Sequence, residues 1–126
     1  MPLVRIDLRR GKSPAYIASL RNGIYEAMRD AFAVPENDRF ILVSQYDADG
    51  FDYDPDYLDI HRTDDLVIIQ ITCNNTRGTP QKQAFYKAIV DKLTVDPGVR
   101  PQDVLINLVE TAKENWSFGN GIAQYA

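Results

Sequence analysis

Residues 34–43 read VPENDRFILV, and residues 99–108 read VRPQDVLINL. They lie 65 positions apart, and each places an aspartate, Asp38 or Asp103, just before an apolar run. The sequence around each copy follows one plan. LVRIDL (3–8) alternates apolar and polar residues, as a half-buried strand does. GKSP follows, with Ser13 as helix cap and Pro14 at the first helical position. Ile17, Leu20, Ile24, Met28 and Phe32 then recur at spacings of three and four, the apolar stripe of an amphipathic helix. Val34-Pro35 closes the helix, and RFILVSQ (39–45) is a second strand.

The second half repeats the order. LVIIQIT (66–72) is a more continuously apolar strand. Thr79 and Pro80 supply cap and first position, 66 residues after Ser13-Pro14, and Ala84, Phe85, Ala88, Ile89 and Leu93 form the helix face. DVLINLVE (103–110) is the last strand. The reading is an α+β domain, a duplicated β-α-β unit over residues 2–45 and 66–110 within one domain, 1–126. Two right-handed crossovers give a four-stranded mixed, mainly parallel sheet with both helices on one face. The acidic, aromatic stretch 46–64 joins the repeats, with room for a short strand near Tyr57–Ile60, and the glycine-punctuated tail 114–126 is expected to be a hairpin. One sheet face is left uncovered, which predicts self-association in a closed ring.

Composition narrows the chemistry. The 126 residues are 44% hydrophobic and 25% charged, and the net charge of −4 offers no basic field for nucleic acid. No apolar run reaches the ~18 residues of a membrane span, and the amino terminus lacks an apolar leader core, so a cytoplasmic protein is expected. One cysteine (Cys73) and one histidine (His61) make a metal site improbable, and both are assigned to structure.

Pro2 has two readings. Proline is tolerated at the first position of a strand. If Met1 is removed, however, Pro2 carries a free secondary amine. An α-amino group titrates near about 7.7–8.0, and an apolar pocket or a nearby arginine lowers that value toward a base suited to neutral pH. Asp38 reads either as a turn cap, as Asp103 does, or as a chemical group. Arg77 stands between a strand end and a helix start, a place suited to an anion. Asn75 reads as a turn residue or a ligand.

The duplication, together with Pro2, VPENDRF (34–40), TRGTPQKQAFYKAI (76–89) and ENWSFGNG (114–121), resembles the tautomerase superfamily, which includes 4-oxalocrotonate tautomerase and macrophage migration inhibitory factor. The resemblance spans nearly the whole chain and is nearer to the branch of malonate semialdehyde decarboxylase. It implies a homotrimer. It implies Pro2 as catalytic base, Asp38 as the group that orients or activates water, and Arg77 as the second arginine of an Arg-X-Arg carboxylate anchor. Trp116 and Phe118 match the aromatic pocket wall. Asn75 stands where the first arginine belongs, and a neutral carboxamide cannot replace a planar, always charged fork. The expected function is therefore cofactor-independent keto-enol tautomerisation of 2-oxo acids such as phenylenolpyruvate or 2-hydroxymuconate. Decarboxylase or hydratase chemistry through Pro2 and Asp38 is the second reading. A non-catalytic trimeric binding module is the third.

Overall fold

The computed structural model describes residues 2–126; the question of Met1 removal lies outside them. The chain runs β1 (Leu3–Arg9), α1 (Pro14–Phe32), β2 (Ile41–Tyr46), β3 (Val67–Asn74), α2 (Thr79–Val95) and β4 (Val104–Thr111). The sheet order is β2-β1-β3-β4. β1–β2 and β3–β4 are parallel, and the central β1–β3 pair is antiparallel. Both parallel pairs have the same register: Val4 faces Ile41 and Val67 faces Val104, an offset of 37 in each. The duplication read from sequence is thus a duplication in space.

Local chemistry sets the helix ends. Ser13 caps α1, its hydroxyl accepting from the Tyr16 N–H at 3.1 Å. At the other end Ala33 takes the left-handed conformation (φ 54°), and the Val34 N–H returns to the Met28 carbonyl at 3.2 Å. α2 departs from expectation: Gly78, not Thr79, is the N-cap, and no side chain caps it. Gly78 lies 65 residues after Ser13, so the spacing that relates the two aspartates also relates the two caps. The Thr-Pro pair imitates the Ser-Pro signal one residue late.

The core lies between the helices and the inner face of the sheet. Val4, Ile6, Leu8, Ile69 and Ile71 meet Leu20, Ile24, Met28, Phe32, Phe85, Ile89 and Leu93, all buried. Each such side chain stabilises by ~1.5–3 kcal/mol through apolar burial. Ala84, expected on the α2 face, is exposed. A Cβ on Gly23 would come within 2.9 Å of Leu93 Cδ2, so glycine here lets α1 and α2 approach closely. Among the described residues no helix covers the outer face, and Leu42, Leu105 and Val109 are 48%, 36% and 40% exposed on it.

Two connections differ from the reading. Tyr57–Asp59 is a 3-10 turn, not a strand, with Leu58 and Asp59 at φ 60° and 57°. The tail 114–126 contains no strand pair among the described residues. A 3-10 turn at Lys113–Asn115 leads into a reversal in which Gly119, Asn120 and Gly121 all have positive φ. Positive-φ residues of this kind also serve in hairpin turns, but here no strands flank the reversal among the described residues. Gln124 closes the reversal, accepting from the Phe118 N–H at 2.9 Å and donating to the Gly119 carbonyl at 3.1 Å.

Candidate active site

The antiparallel register pairs Leu3 with Thr72, which brings Pro2, at the start of β1, to the end of the sheet where β3 finishes. Pro2 is buried. The Val4 N–H donates to the Phe40 carbonyl at 2.9 Å and ties this end of β1 to the segment carrying Asp38. That segment is a tight turn: the Asp38 N–H reaches the Pro35 carbonyl at 3.2 Å, and Asn37, at φ 70°, donates its N–H to the Tyr25 hydroxyl at 3.1 Å.

Asp38 is unusual in its company. One oxygen, Oδ1, is buried and has no hydrogen-bond partner among the described residues. Burial pushes its carboxyl above the usual carboxylate range, and the positive charge of Arg77 opposes the shift.

Arg77 is the second group with an unspent hydrogen bond. Its Nε and Nη2 donate to the Phe32 carbonyl at 3.2 and 2.8 Å, and its guanidinium lies over the Phe32 ring at 4.1 Å. Phe32 stacks in turn on Phe85 at 3.9 Å. The carbonyl belongs to the last turn of α1, which has no intrahelical donor for it. Two of the three guanidinium nitrogens are therefore committed to the fold. The third, Nη1, is buried and unpartnered among the described residues. Arg77 can offer a carboxylate one edge, not its whole fork.

The aromatic residues close the site from the tail. Trp116 stacks on Phe118 (5.5 Å, 10°), and Phe118 meets Tyr125 edge to face (4.9 Å, 68°). Pro35, Asp38, Phe40, Phe118 and Tyr125 line a cavity of about 270 Å³. A larger polar hollow of about 620 Å³ beside α1, lined by Asn22, Tyr25 and Arg39, contains none of the unpartnered buried atoms.

The structure therefore brings Pro2, Asp38, Arg77, Trp116 and Phe118 to one end of the sheet. It does not bring in the Asn75 side chain, which is exposed; only the Asn75 backbone is engaged, its N–H donating to the Thr111 carbonyl at 3.1 Å. Its neighbour Asn74 is buried, and its Oδ1 accepts from Trp116 Nε1 at 2.8 Å. The sequence reading ended β3 at residue 72 and so missed Asn74; following the strand's alternation two residues further would have placed it on the outer face. Nothing in the sequence marked Tyr125. No group of three or more His, Cys, Asp or Glu side chains is arranged to hold a metal among the described residues, and no helix there is long and apolar enough to cross a membrane.

Comparison with known proteins identifies the family. Residues 38–119 match the family model described as "Tautomerase enzyme". The chain is 43% identical over 124 residues to the "Probable tautomerase YusQ" of Bacillus subtilis (strain 168), covering 98% of each chain. It is 30% identical to the "Probable tautomerase YrdN" of the same organism, covering 99% of this chain and 96% of that one. Among solved structures, a malonate semialdehyde decarboxylase studied in wild-type, proline-to-alanine and inactivated forms superposes with a TM-score of 0.92 at 36% identity, covering 98% of this chain and 95% of that one. A fused 4-OT symmetric trimer shares the fold alone, with a TM-score of 0.79 at 17% identity over 95% of this chain and 94% of that one. Fold, matched residues and relatives together make this chain a member of the tautomerase family of enzymes.

Proposed function

We propose that this protein is a cofactor-independent keto-enol tautomerase of 2-oxo acids, with Pro2 as the base and Arg77 as the carboxylate anchor. One observation carries the reading. At the end of the sheet that holds Pro2, a buried acceptor (Asp38 Oδ1) and a buried donor (Arg77 Nη1) both lack partners among the described residues. A fold seldom leaves buried polar atoms unpaired unless something else uses them.

With Met1 removed, the neutral Pro2 amine takes the hydroxyl proton of an enol acid. The resulting ammonium returns that proton to the neighbouring carbon, leaving the keto acid. Arg77 Nη1 holds the carboxylate and stabilises charge that grows on the conjugated system. Asp38 steers the proton, and Phe118 covers a flat substituent. The open outer face of the sheet is the natural contact for a homotrimer, in which apolar residues such as Leu42 become interior.

Lyase chemistry is the second reading, and Asp38 favours it: its raised pKa and unpaired oxygen suit a group that handles water. The test combines intact mass with ketonisation of phenylenolpyruvate. The expected result is a mass lacking one methionine, measurable ketonisation, and a loss of ~10²–10⁴-fold in Pro2→Ala, the scale of a removed general base. Decarboxylation of malonate semialdehyde that collapses in Asp38→Asn while ketonisation survives moves the assignment to the lyase. A processed amino terminus with no turnover of either substrate leaves the binding module.

A further inference from the structure

We infer that Asn74 is a substrate-binding residue that donates from its carboxamide to the substrate carboxylate beside Arg77, with Trp116 holding that carboxamide in orientation. The inference rests on the tautomerase reading and names a ligand that the reading lacks. Asn74 and Asp103 are the buried polar residues among those described, 7% and 0% exposed. Asp103 is accounted for by bonds within the fold. Among the described residues the Asn74 side chain has one bond, to Trp116, and that bond decides which way the amide faces. An indole N–H only donates, so the atom facing it is Oδ1. The two hydrogens on Nδ2 are then directed away from the indole.

The opposite end of the sheet shows what this place holds. The 65-residue spacing makes Arg9 the counterpart of Asn74, Lys12 that of Arg77, and Tyr53 that of Phe118. Arg9 Nη1 pairs with the Asp64 carboxylate at 3.2 Å, and the Tyr53 hydroxyl donates to the same carboxylate at 2.7 Å. Lys12 holds the neighbouring Asp65 at 2.6 Å. The positions of Asn74 and Arg77 thus correspond to two that bind carboxylates of the chain itself. At the Pro2 end, the charged guanidinium of Arg9 is replaced by a neutral amide. An amide holds a carboxylate more weakly than a guanidinium does, which suits a ligand that must leave.

The experiment compares phenylenolpyruvate with its methyl ester, in the full chain, by kcat/KM. Asn74→Leu is expected to reduce the preference for acid over ester about tenfold, the scale of one charge-assisted hydrogen bond, mainly through KM of the acid. A general loss of structure lowers acid and ester together. Asn74→Ser, smaller and still polar, makes the same comparison if the leucine variant does not fold. Trp116→Phe frees the amide, so Asn74→Leu is expected to lose less in that background. An unchanged acid preference in both Asn74 variants overturns the inference. Absence of turnover in the wild type overturns the tautomerase reading alone. Quenching of Trp116, the single tryptophan, by phenylpyruvate and by its methyl ester then decides on Asn74. Tighter binding of the acid that is lost in Asn74→Leu supports its role, and equal binding of acid and ester in the wild type overturns it.

Discussion

Asp38 and Asp103 occupy equivalent positions in the two halves, 65 residues apart and each at the approach to an outer strand, yet their surroundings are opposite. Asp103 is fully buried and saturated. Its Oδ1 accepts from the Thr63 N–H at 2.7 Å, and its Oδ2 accepts from the Thr63 hydroxyl at 2.6 Å and from Arg100 Nη1 at 3.4 Å. Asp38 keeps a buried oxygen with no partner among the described residues. The basic residues differ in their partners: Arg9, Arg10 and Lys12 are paired with Asp64, Asp47 and Asp65, although Arg9 Nε is itself buried and unpartnered, whereas Arg77 meets no carboxylate among the described residues and leaves Nη1 buried and unpartnered there. One end of the duplicated sheet is closed by the chain's own aspartates and threonine. The other keeps its polar groups open. The connecting segment 47–65, which supplies the closing groups, is what makes the difference.

Breaking the closed end has the largest expected effect on stability. Asp103→Ala removes a buried carboxylate and leaves the Thr63 N–H and hydroxyl without their acceptor, at a cost of ~3–5 kcal/mol in urea unfolding. The sharper part of the expectation is that kcat and KM of the folded fraction stay as in wild type, because Asp103 lies at the far end of the sheet. A large loss of kcat at unchanged stability would mean that the two ends are functionally equivalent.

The paired cations give the next step. Arg77→Ala strips the Phe32 carbonyl of two donors and the Phe32 ring of its cation, and is expected to cost ~1–2 kcal/mol. It should also raise KM for a carboxylate substrate about 10–100-fold. Lys12→Ala, its counterpart, removes a surface pair with Asp65 and is expected to change stability by less than ~1 kcal/mol and activity not at all. Measured side by side, the two variants show whether the open end alone binds acid.

How much of this was legible in the sequence follows from the range of the interactions involved. The fold was readable because strand alternation and helix stripes are local, and because the second copy confirmed the first. The α2 cap was misplaced because Thr79-Pro80 carries the same local signal as Ser13-Pro14, and only the strand registers reveal that the spacing is 65 throughout. The roles of Asp38 and Asp103 could not be separated because the partner that saturates Asp103 is 40 residues distant in the chain. Asn74 was hidden by a strand that runs two residues beyond its apolar run, sustained by the pairing of Asn74 with Thr111. Arg77 stands out in the sequence by its position between strand and helix and by the resemblance, but its commitment to Phe32 depends on where α1 ends, and no local pattern encodes that.

The smallest effect tests the open end on its own terms. Burial raises the folded pKa of Asp38 above its unfolded reference of 3.8. Between those two values the native state holds more protons than the unfolded state, so stability falls as pH rises through the window and stays lower above it. An ionised Asp38 at neutral pH is therefore a small liability to the fold. Asp38→Asn removes it. The expected result is a thermal midpoint equal to or slightly above wild type at pH 7, a difference below ~1 kcal/mol, which closes as the pH is lowered toward the unfolded value and wild-type Asp38 takes up its proton. A substitution that leaves the fold as stable or more so while impairing water-dependent turnover identifies Asp38 as a group kept for chemistry. A loss of stability on the scale of Asp103→Ala would instead reveal a partner for Oδ1 and remove the contrast between the two halves at its source.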